Sequence, residues 1–108
     1  MNLIGSKPGS LNRMTIRNDN YQYPLNETWT TDEIVTVTTL YQCVETANEE
    51  SLPTAELLAA YREFKTVVPA KSEEKQLGRA FEAASGYSIY RTIQAAQATN
   101  KQRFSYRS

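Results

Sequence analysis

Few residues of this sequence have a type and spacing that could do chemistry, and histidine is absent altogether. Histidine is the side chain that most often acts as acid or base near neutral pH, and it is the commonest metal ligand. The single cysteine, Cys43, has no histidine to activate it and is more typical of a small buried apolar residue. We predict no metal site, because a transition metal would have to be held by carboxylates alone.

Other catalytic patterns are weak. Residues 72–75, SEEK, match the S-x-x-K pattern of serine acyl enzymes, but the partner patterns S-D-N and K-T-G are absent. Adjacent carboxylates such as Glu49 and Glu50 point about 100° apart on a helix, which suits neither two-carboxylate catalysis nor a shared metal. The four glycines form no phosphate-binding loop. We therefore expect no catalytic residue and no cofactor, and a protein that is not an enzyme.

Charge is distributed unevenly along a chain whose net charge is zero. Residues 21–60 contain seven acidic residues and no lysine or arginine, whereas residues 61–108 contain nine basic and four acidic residues. The bias favours the pairing of oppositely charged helices within one bundle. It also leaves open a basic face for an anionic partner, or head-to-tail self-association through opposite faces.

The elements that must position these residues are predicted to be helices. Thr30 and Glu33 form a capping box at the start of the first helix, whose apolar period continues to Ala47. The second helix is predicted to begin at Pro53 and to end at Pro69, because proline is tolerated in the first turn but not in a helix interior. The predicted core positions of these two helices are Ile34, Val37, Leu40, Tyr41, Val44, Ala47, Leu57, Tyr61, Phe64 and Val68.

Two further helices are predicted on either side of a glycine corner. Ser72 is predicted to cap the third helix and Ser88 the fourth, with Gly86 in the left-handed conformation between them. Gly78 lies inside the third helix, where glycine is unfavourable, and we interpret it as a close approach of a neighbouring helix. The predicted core positions here are Leu77, Ala80, Phe81, Ala84, Ile89, Ile93 and Ala96.

The two ends of the chain differ in composition. Residues 1–20 are polar and lack an apolar period, which is typical of a disordered arm, and Met14 could be the natural start. Residues 99–108 are polar and basic and are predicted to fray. The fold class is all-α, a compact bundle of four short helices in a single domain over residues 21–98. An aromatic strap over residues 21–29 is predicted to be pinned to this bundle by Tyr21, Tyr23, Leu25 and Trp29.

The exposed residues around the glycine corner form the candidate partner-binding surface, because basic side chains and tyrosines concentrate there. The predicted members are Lys71, Lys75, Arg79, Tyr87, Tyr90 and Arg91. We expect an unidentified protein partner and a cytoplasmic protein without a membrane span or signal peptide. One alternative is a nucleic-acid-binding module, since residues 73–97 resemble a helix-turn-helix corner. The other alternative is an enzyme with an unrecognised acid–tyrosine–lysine site.

Several stretches also resemble a known family. They are YQYPL (21–25), Trp29, YREFKTVVPAKSEEK (61–75), Phe81 and SGYSIYR (85–91). They resemble the YktA-like family of small uncharacterised cytosolic proteins of Bacillus and related Firmicutes, and the similarity covers residues 21–98. The resemblance implies a small all-α helical-bundle domain and carries over no catalytic residue.

Overall fold

The computed structural model of the protein describes residues 21–106 and confirms a mainly helical fold for this part of the chain. Its four helices are accompanied by one short two-stranded sheet. The elements in chain order are α1 Thr31–Glu49, β1 Leu52–Pro53, α2 Thr54–Val67, α3 Lys71–Ser85, α4 Ile89–Ala98 and β2 Arg103–Phe104. The predicted disordered arm at residues 1–20, with Met14 as a possible start, lies outside the described residues.

Local capping signals set several helix ends as predicted. The Thr30 side chain accepts a hydrogen bond from the Glu33 N–H, and the Glu33 carboxylate accepts one from the Thr30 N–H, which completes the capping box of α1. Gly86 ends α3 with φ +85°, a left-handed conformation that glycine adopts without steric cost. Ser88 caps α4, since its Oγ accepts a hydrogen bond of 3.1 Å from the Arg91 N–H.

The start of α3 differs from the prediction. Ala70, rather than Ser72, is the N-cap residue, and it offers no side-chain hydrogen bond. Ala70 is extended, with φ −79° and ψ 130°, and its carbonyl already accepts a hydrogen bond of 3.0 Å from the Glu74 N–H. Helix α3 therefore begins at Lys71, one residue before the serine that the sequence pattern favoured.

The core is formed where α1, α2 and α4 pack together, and α3 adds only Leu77 and Phe81 to it. Ile34 and Tyr61 are half-buried. Most of the predicted core positions are confirmed as buried, namely Val37, Leu40, Tyr41, Val44, Ala47, Leu57, Phe64, Val68, Leu77, Phe81, Ile89, Ile93 and Ala96.

The prediction of Ala80 and Ala84 as core residues is wrong, because both are exposed. Helix α3 buries only Leu77 and Phe81, and Phe81 stacks on Tyr41 of α1 with ring centroids 4.8 Å apart. Ala80 and Ala84 lie beside this narrow contact and remain exposed.

The aromatic strap packs on the bundle largely as predicted. Tyr21, Tyr23 and Trp29 are partly buried against the core, and the Tyr41 hydroxyl donates a hydrogen bond of 2.8 Å to the Pro24 carbonyl. The predicted anchoring role of Leu25 is wrong, since this side chain is 48% exposed. The pattern in which every second side chain of the strap faces the core ends at Leu25, because a turn follows directly. In this turn the Trp29 N–H donates a hydrogen bond to the Asn26 carbonyl.

The segment after α4 does not fray as predicted, because part of it pairs with the chain before α2. Strand β2 is antiparallel to β1, with Leu52 opposite Phe104, and the Thr54 N–H donates to the Gln102 carbonyl at 2.8 Å. Phe104 is only 8% exposed and belongs to the hydrophobic core. Burial of this one aromatic ring and the paired backbone hold residues 101–106 on the body of the domain.

Candidate partner-binding site

A cleft of about 580 Å³ lies between α2, α3 and the start of α4. A concave surface of this volume is within the range of small-ligand and peptide sites. Helix α2 provides one wall, α3 the other, and the first turn of α4 the rim. The charged and aromatic side chains that line the cleft include Tyr61, Lys65, Lys71, Lys75, Arg79 and Tyr90.

Four of the six residues of the predicted surface meet in this cleft. Lys71, Lys75 and Arg79 lie four residues apart on α3, so that they form one line along the helix, about 6 Å apart along its axis. None of the three side chains makes an ion pair or a hydrogen bond with another of the described residues. Tyr90 stands at the rim and is 69% exposed. The predicted concentration of exposed cations and an aromatic ring is therefore present in the structure.

The other two predicted residues lie elsewhere. The Tyr87 hydroxyl donates a hydrogen bond of 2.7 Å to the Glu49 carboxylate of α1, and its ring packs against the core. Tyr87 therefore contributes to packing. Arg91 is exposed on α4 but does not line the cleft.

The α2 wall is joined to α3 by a clamp of three side chains. The Tyr61 hydroxyl donates a hydrogen bond of 2.8 Å to one Glu74 carboxylate oxygen, and the Lys65 ammonium lies 2.5 Å from the other. Burial, and then the hydrogen bond and charge of Glu74, raises the pKa of Tyr61 to about 12. The phenol is thus held neutral and is a poor base or nucleophile at neutral pH. The clamp joins the two walls of the cleft, and the ion pair with Glu74 engages the charge of Lys65 within the protein.

Gly78 lies on the α3 wall of the cleft. The predicted close approach of a neighbouring helix is wrong, because a Cβ built at this position would meet no described heavy atom within 4 Å apart from its chain neighbours and the adjoining backbone of α3. Packing in this part of the protein therefore does not require glycine at position 78. Because glycine has no side chain, the main chain of α3 is left uncovered at the middle of the cleft.

A buried carboxylate beneath the aromatic strap has no counterpart in the sequence predictions. Glu45 of α1 is fully buried, and it accepts hydrogen bonds from the hydroxyls of Tyr21 and Tyr23, the latter at 2.8 Å. Burial, followed by the hydrogen bond and charge of Glu45, raises the pKa of Tyr21 well above its usual range. One signal could have found this contact, since Glu45 follows the core residue Tyr41 by four positions and so shares its buried face.

Cys43 is buried beside a smaller groove of about 280 Å³ between α1 and α2. Burial, and then the charge of Glu56, raises the pKa of the thiol to about 11, which keeps it protonated and unreactive at neutral pH. This confirms the interpretation of Cys43 as a buried apolar residue.

Residues 21–106 contain no group of three or more histidine, cysteine or acidic side chains arranged to hold a metal ion. None of the four described helices combines the length and hydropathy that crossing a membrane requires.

The sequence matches the family described as "Uncharacterised protein family (UPF0223)" over residues 20–105. A UPF0223 protein of Lactiplantibacillus plantarum is 70% identical over 95 residues, which cover 88% of this chain and 98% of the relative. A UPF0223 protein of Enterococcus faecalis is 57% identical over 77 residues, covering 71% and 84%. One from Bacillus cytotoxicus is 47% identical over 81 residues, covering 75% and 91%. These relatives come from Firmicutes, in agreement with the resemblance seen in the sequence, and the chain belongs to the UPF0223 family.

Proposed function

We propose that this chain is a non-enzymatic, cytoplasmic protein-interaction module whose binding surface is the cleft between α2, α3 and α4. The observation that carries the proposal is the line of Lys71, Lys75 and Arg79, three cations on one wall of a concave surface without an ion pair among the described residues. Cations without an ion pair or a hydrogen bond to another described residue are available to an anionic group of a partner. Tyr90 at the rim adds exposed aromatic surface, the kind of side chain that is enriched at protein interfaces.

An enzymatic function is less well supported by the chemistry of the same cleft. Tyr61, Lys65 and Glu74 are the acid–tyrosine–lysine set that an enzyme could use, and Glu74 lies within hydrogen-bonding distance of the other two. However, the pKa of Tyr61 is raised to about 12, far from the value near the working pH that a general base needs. The Lys65 ammonium is already engaged by the Glu74 carboxylate at 2.5 Å. The clamp therefore supports a structural role for these three residues.

A nucleic-acid-binding function is supported only by the order of α3, the glycine corner and α4, with Arg91 exposed on the second helix. The net charge of zero and the sequence pI of about 6.3 argue against this function, because nucleic-acid-binding domains are usually strongly basic. A gel-shift titration with mixed-sequence DNA and RNA at low salt tests this alternative. A shift that weakens steeply as salt is added would favour it over a protein partner.

The proposed function is tested by affinity capture from native cytosol with the full-length chain as bait. The cleft variant is Lys75→Glu/Arg79→Glu, and the matched control is Arg62→Glu/Arg91→Glu. The control reverses the same number of charges on exposed residues that do not line the cleft. We expect the wild type and the control to capture one specific protein that the cleft variant does not capture. In calorimetry with this purified partner, the wild type and the control should bind more tightly than the cleft variant. An identical set of captured proteins for all three baits would overturn the proposal.

A further inference from the structure

Helix α3 carries several choices that local folding physics disfavours, and they converge on the cleft. Gly78 lies in the interior of a helix of 15 residues, where glycine is less favourable than alanine. Lys71, Lys75 and Arg79 follow one another at intervals of four, the spacing at which like charges repel. Lys71 is in addition the first residue of α3, at the positive end of the helix dipole. Sequences that violate local rules without a compensating contact usually do so at functional sites.

We propose that this wall of the cleft binds an extended acidic segment of a polypeptide partner, with the carboxylates on the cation line and the peptide main chain over Gly78. This inference rests on the proposed function and names the chemical class of its ligand. In an extended chain, alternate side chains point to the same side and repeat every ~6.7 Å. The cations of α3 repeat every ~6 Å along the helix axis, so that alternate acidic residues can meet successive cations.

Gly78 is explained by the same placement. Because no other atom of the described chain occupies the space where a Cβ would be, a ligand can approach the α3 backbone closely at this point. A larger side chain here would project into the cleft between Lys75 and Arg79. The glycine thus removes a barrier at the centre of the proposed contact.

Acidic side chains in the cleft favour a peptide over a nucleic acid. Glu74 and Glu82 line the same cleft, and the Glu82 carboxylate makes no hydrogen bond with another described residue. A peptide has backbone N–H groups that can donate to this carboxylate, whereas a phosphodiester backbone has no such donor. The mixture of cations and carboxylates in the cleft is therefore better matched by an acidic peptide than by a nucleic acid.

The proposal is tested by NMR titration of the full-length, ¹⁵N-labelled chain. The probe is a synthetic peptide of about ten residues that alternates serine and glutamate, so that its carboxylates match the cation line. A peptide of the same composition with its glutamates in one block is the control for spacing, and an oligothymidylate of about ten nucleotides is the control for ligand class. We expect the alternating peptide to shift the amide signals of Gly78 and Arg79 and to saturate at a concentration about threefold lower than the block peptide.

Variants make the test specific to the cleft. We expect Lys75→Glu/Arg79→Glu to weaken binding of the alternating peptide about tenfold or more, and the control Arg62→Glu/Arg91→Glu to change it by less than about threefold. Gly78→Leu should weaken binding about tenfold by filling the cleft. Its thermal midpoint should stay at or above that of the wild type, since leucine is the better helix former and its Cβ meets no other described atom. A folded Gly78→Leu variant that binds like the wild type would overturn the proposal.

The outcomes separate this inference from the proposed function. If partner capture depends on the cleft but only the oligothymidylate shifts Gly78, or no probe does, the ligand class is wrong and the interaction module stands. If the acidic peptide binds as described but partner capture ignores the cleft charges, the acidic-peptide site stands and the proposed function fails.

Discussion

Replacing Phe104 by alanine tests whether the C-terminal segment is an integral part of the domain. Phe104 is only 8% exposed, pairs with Leu52 across the two-stranded sheet and belongs to the hydrophobic core. Removing its ring deletes the largest apolar contact of β2 and leaves a cavity beside β1. The backbone hydrogen bonds of the segment would remain possible, so that the variant isolates the contribution of the side chain.

The expected loss follows from the burial of the ring. Substitutions of buried phenylalanine by alanine cost about 3–5 kcal/mol, and we expect about 3 kcal/mol because a short segment near the chain end can partly collapse into the cavity. For a domain of this size, such a loss lowers the thermal midpoint by roughly 12–24 °C. With an m-value of about 1.5 kcal/mol per molar urea, the midpoint of urea unfolding falls by about 2 M.

The measurement is equilibrium urea unfolding, followed by far-UV circular dichroism and by the fluorescence of Trp29. Tyr106→Ala is the matched control, since it removes an aromatic ring from the same segment that is 37% exposed. We expect this control to lose less than about 1 kcal/mol. A loss below about 1 kcal/mol for Phe104→Ala, or equal losses for both variants, would show that the segment is not held by burial of its phenylalanine.

Two further predictions use the same unfolding titrations. Ser88→Ala should lower the free energy of unfolding by about 1 kcal/mol because it removes the cap of α4, whereas Ser72→Ala should change it by less than about 0.5 kcal/mol because Ala70 is the cap of α3. Equal losses at the two serines would contradict these cap assignments. Since the pKa of Tyr61 rises from 10.0 to about 12 on folding, its contribution to stability is complete below pH 10 and is lost as the pH rises towards 12. Tyr61→Phe should therefore lose less stability than the wild type over this interval, and parallel alkaline curves would refute the buried neutral phenol.

The helix ends that the sequence predicted correctly depend on residues close together in the chain. The capping box of Thr30 and Glu33, the left-handed Gly86 and the cap at Ser88 each involve groups within a few positions of one another. Such signals need no knowledge of the tertiary fold. The start of α3 was not predicted correctly, because Ser72 is a favourable capping residue whereas the helix begins directly after the extended Ala70. The first helical turn therefore starts before the serine.

The features that the sequence did not reveal depend on contacts between distant residues. Phe104 pairs with Leu52, and the Tyr21 hydroxyl reaches Glu45, 24 positions further along the chain. The alternation of Phe104 and Tyr106 is compatible with a strand but does not name Leu52 as the partner. The position of Glu45 four residues after Tyr41 indicates a buried face but does not name Tyr21 as the partner. Tyr87 could not be assigned from its neighbours for the same reason, because its hydrogen-bond partner Glu49 lies on α1, 38 positions earlier in the chain.

The sequence predicted one wall of the cleft but not the other, and this difference has a physical cause. The positions of Lys71, Lys75 and Arg79 on one line follow from helical periodicity, which fixes what shares a face within a helix. The neighbours of that face do not follow from periodicity. Only the packed structure brings Tyr61 and Lys65 of α2 opposite the line and leaves Gly78 without a neighbouring side chain among the described residues.

The weak anchoring of α3 makes its outer face suitable for these tests. Leu77 and Phe81 provide its buried contacts, and neither lines the cleft wall that carries the cations. Reversing the charges of Lys75 and Arg79 should therefore leave the core intact. The carboxylate introduced at position 75 attracts Lys71, whereas the carboxylate at position 79 repels the one at position 75 and Glu82, so that these small effects largely cancel. The urea midpoint of the cleft variant should accordingly lie close to that of the wild type. A loss of partner binding at an unchanged or raised midpoint would then be a loss of contact with the partner, whereas a lowered midpoint would mean that these cations stabilise the fold.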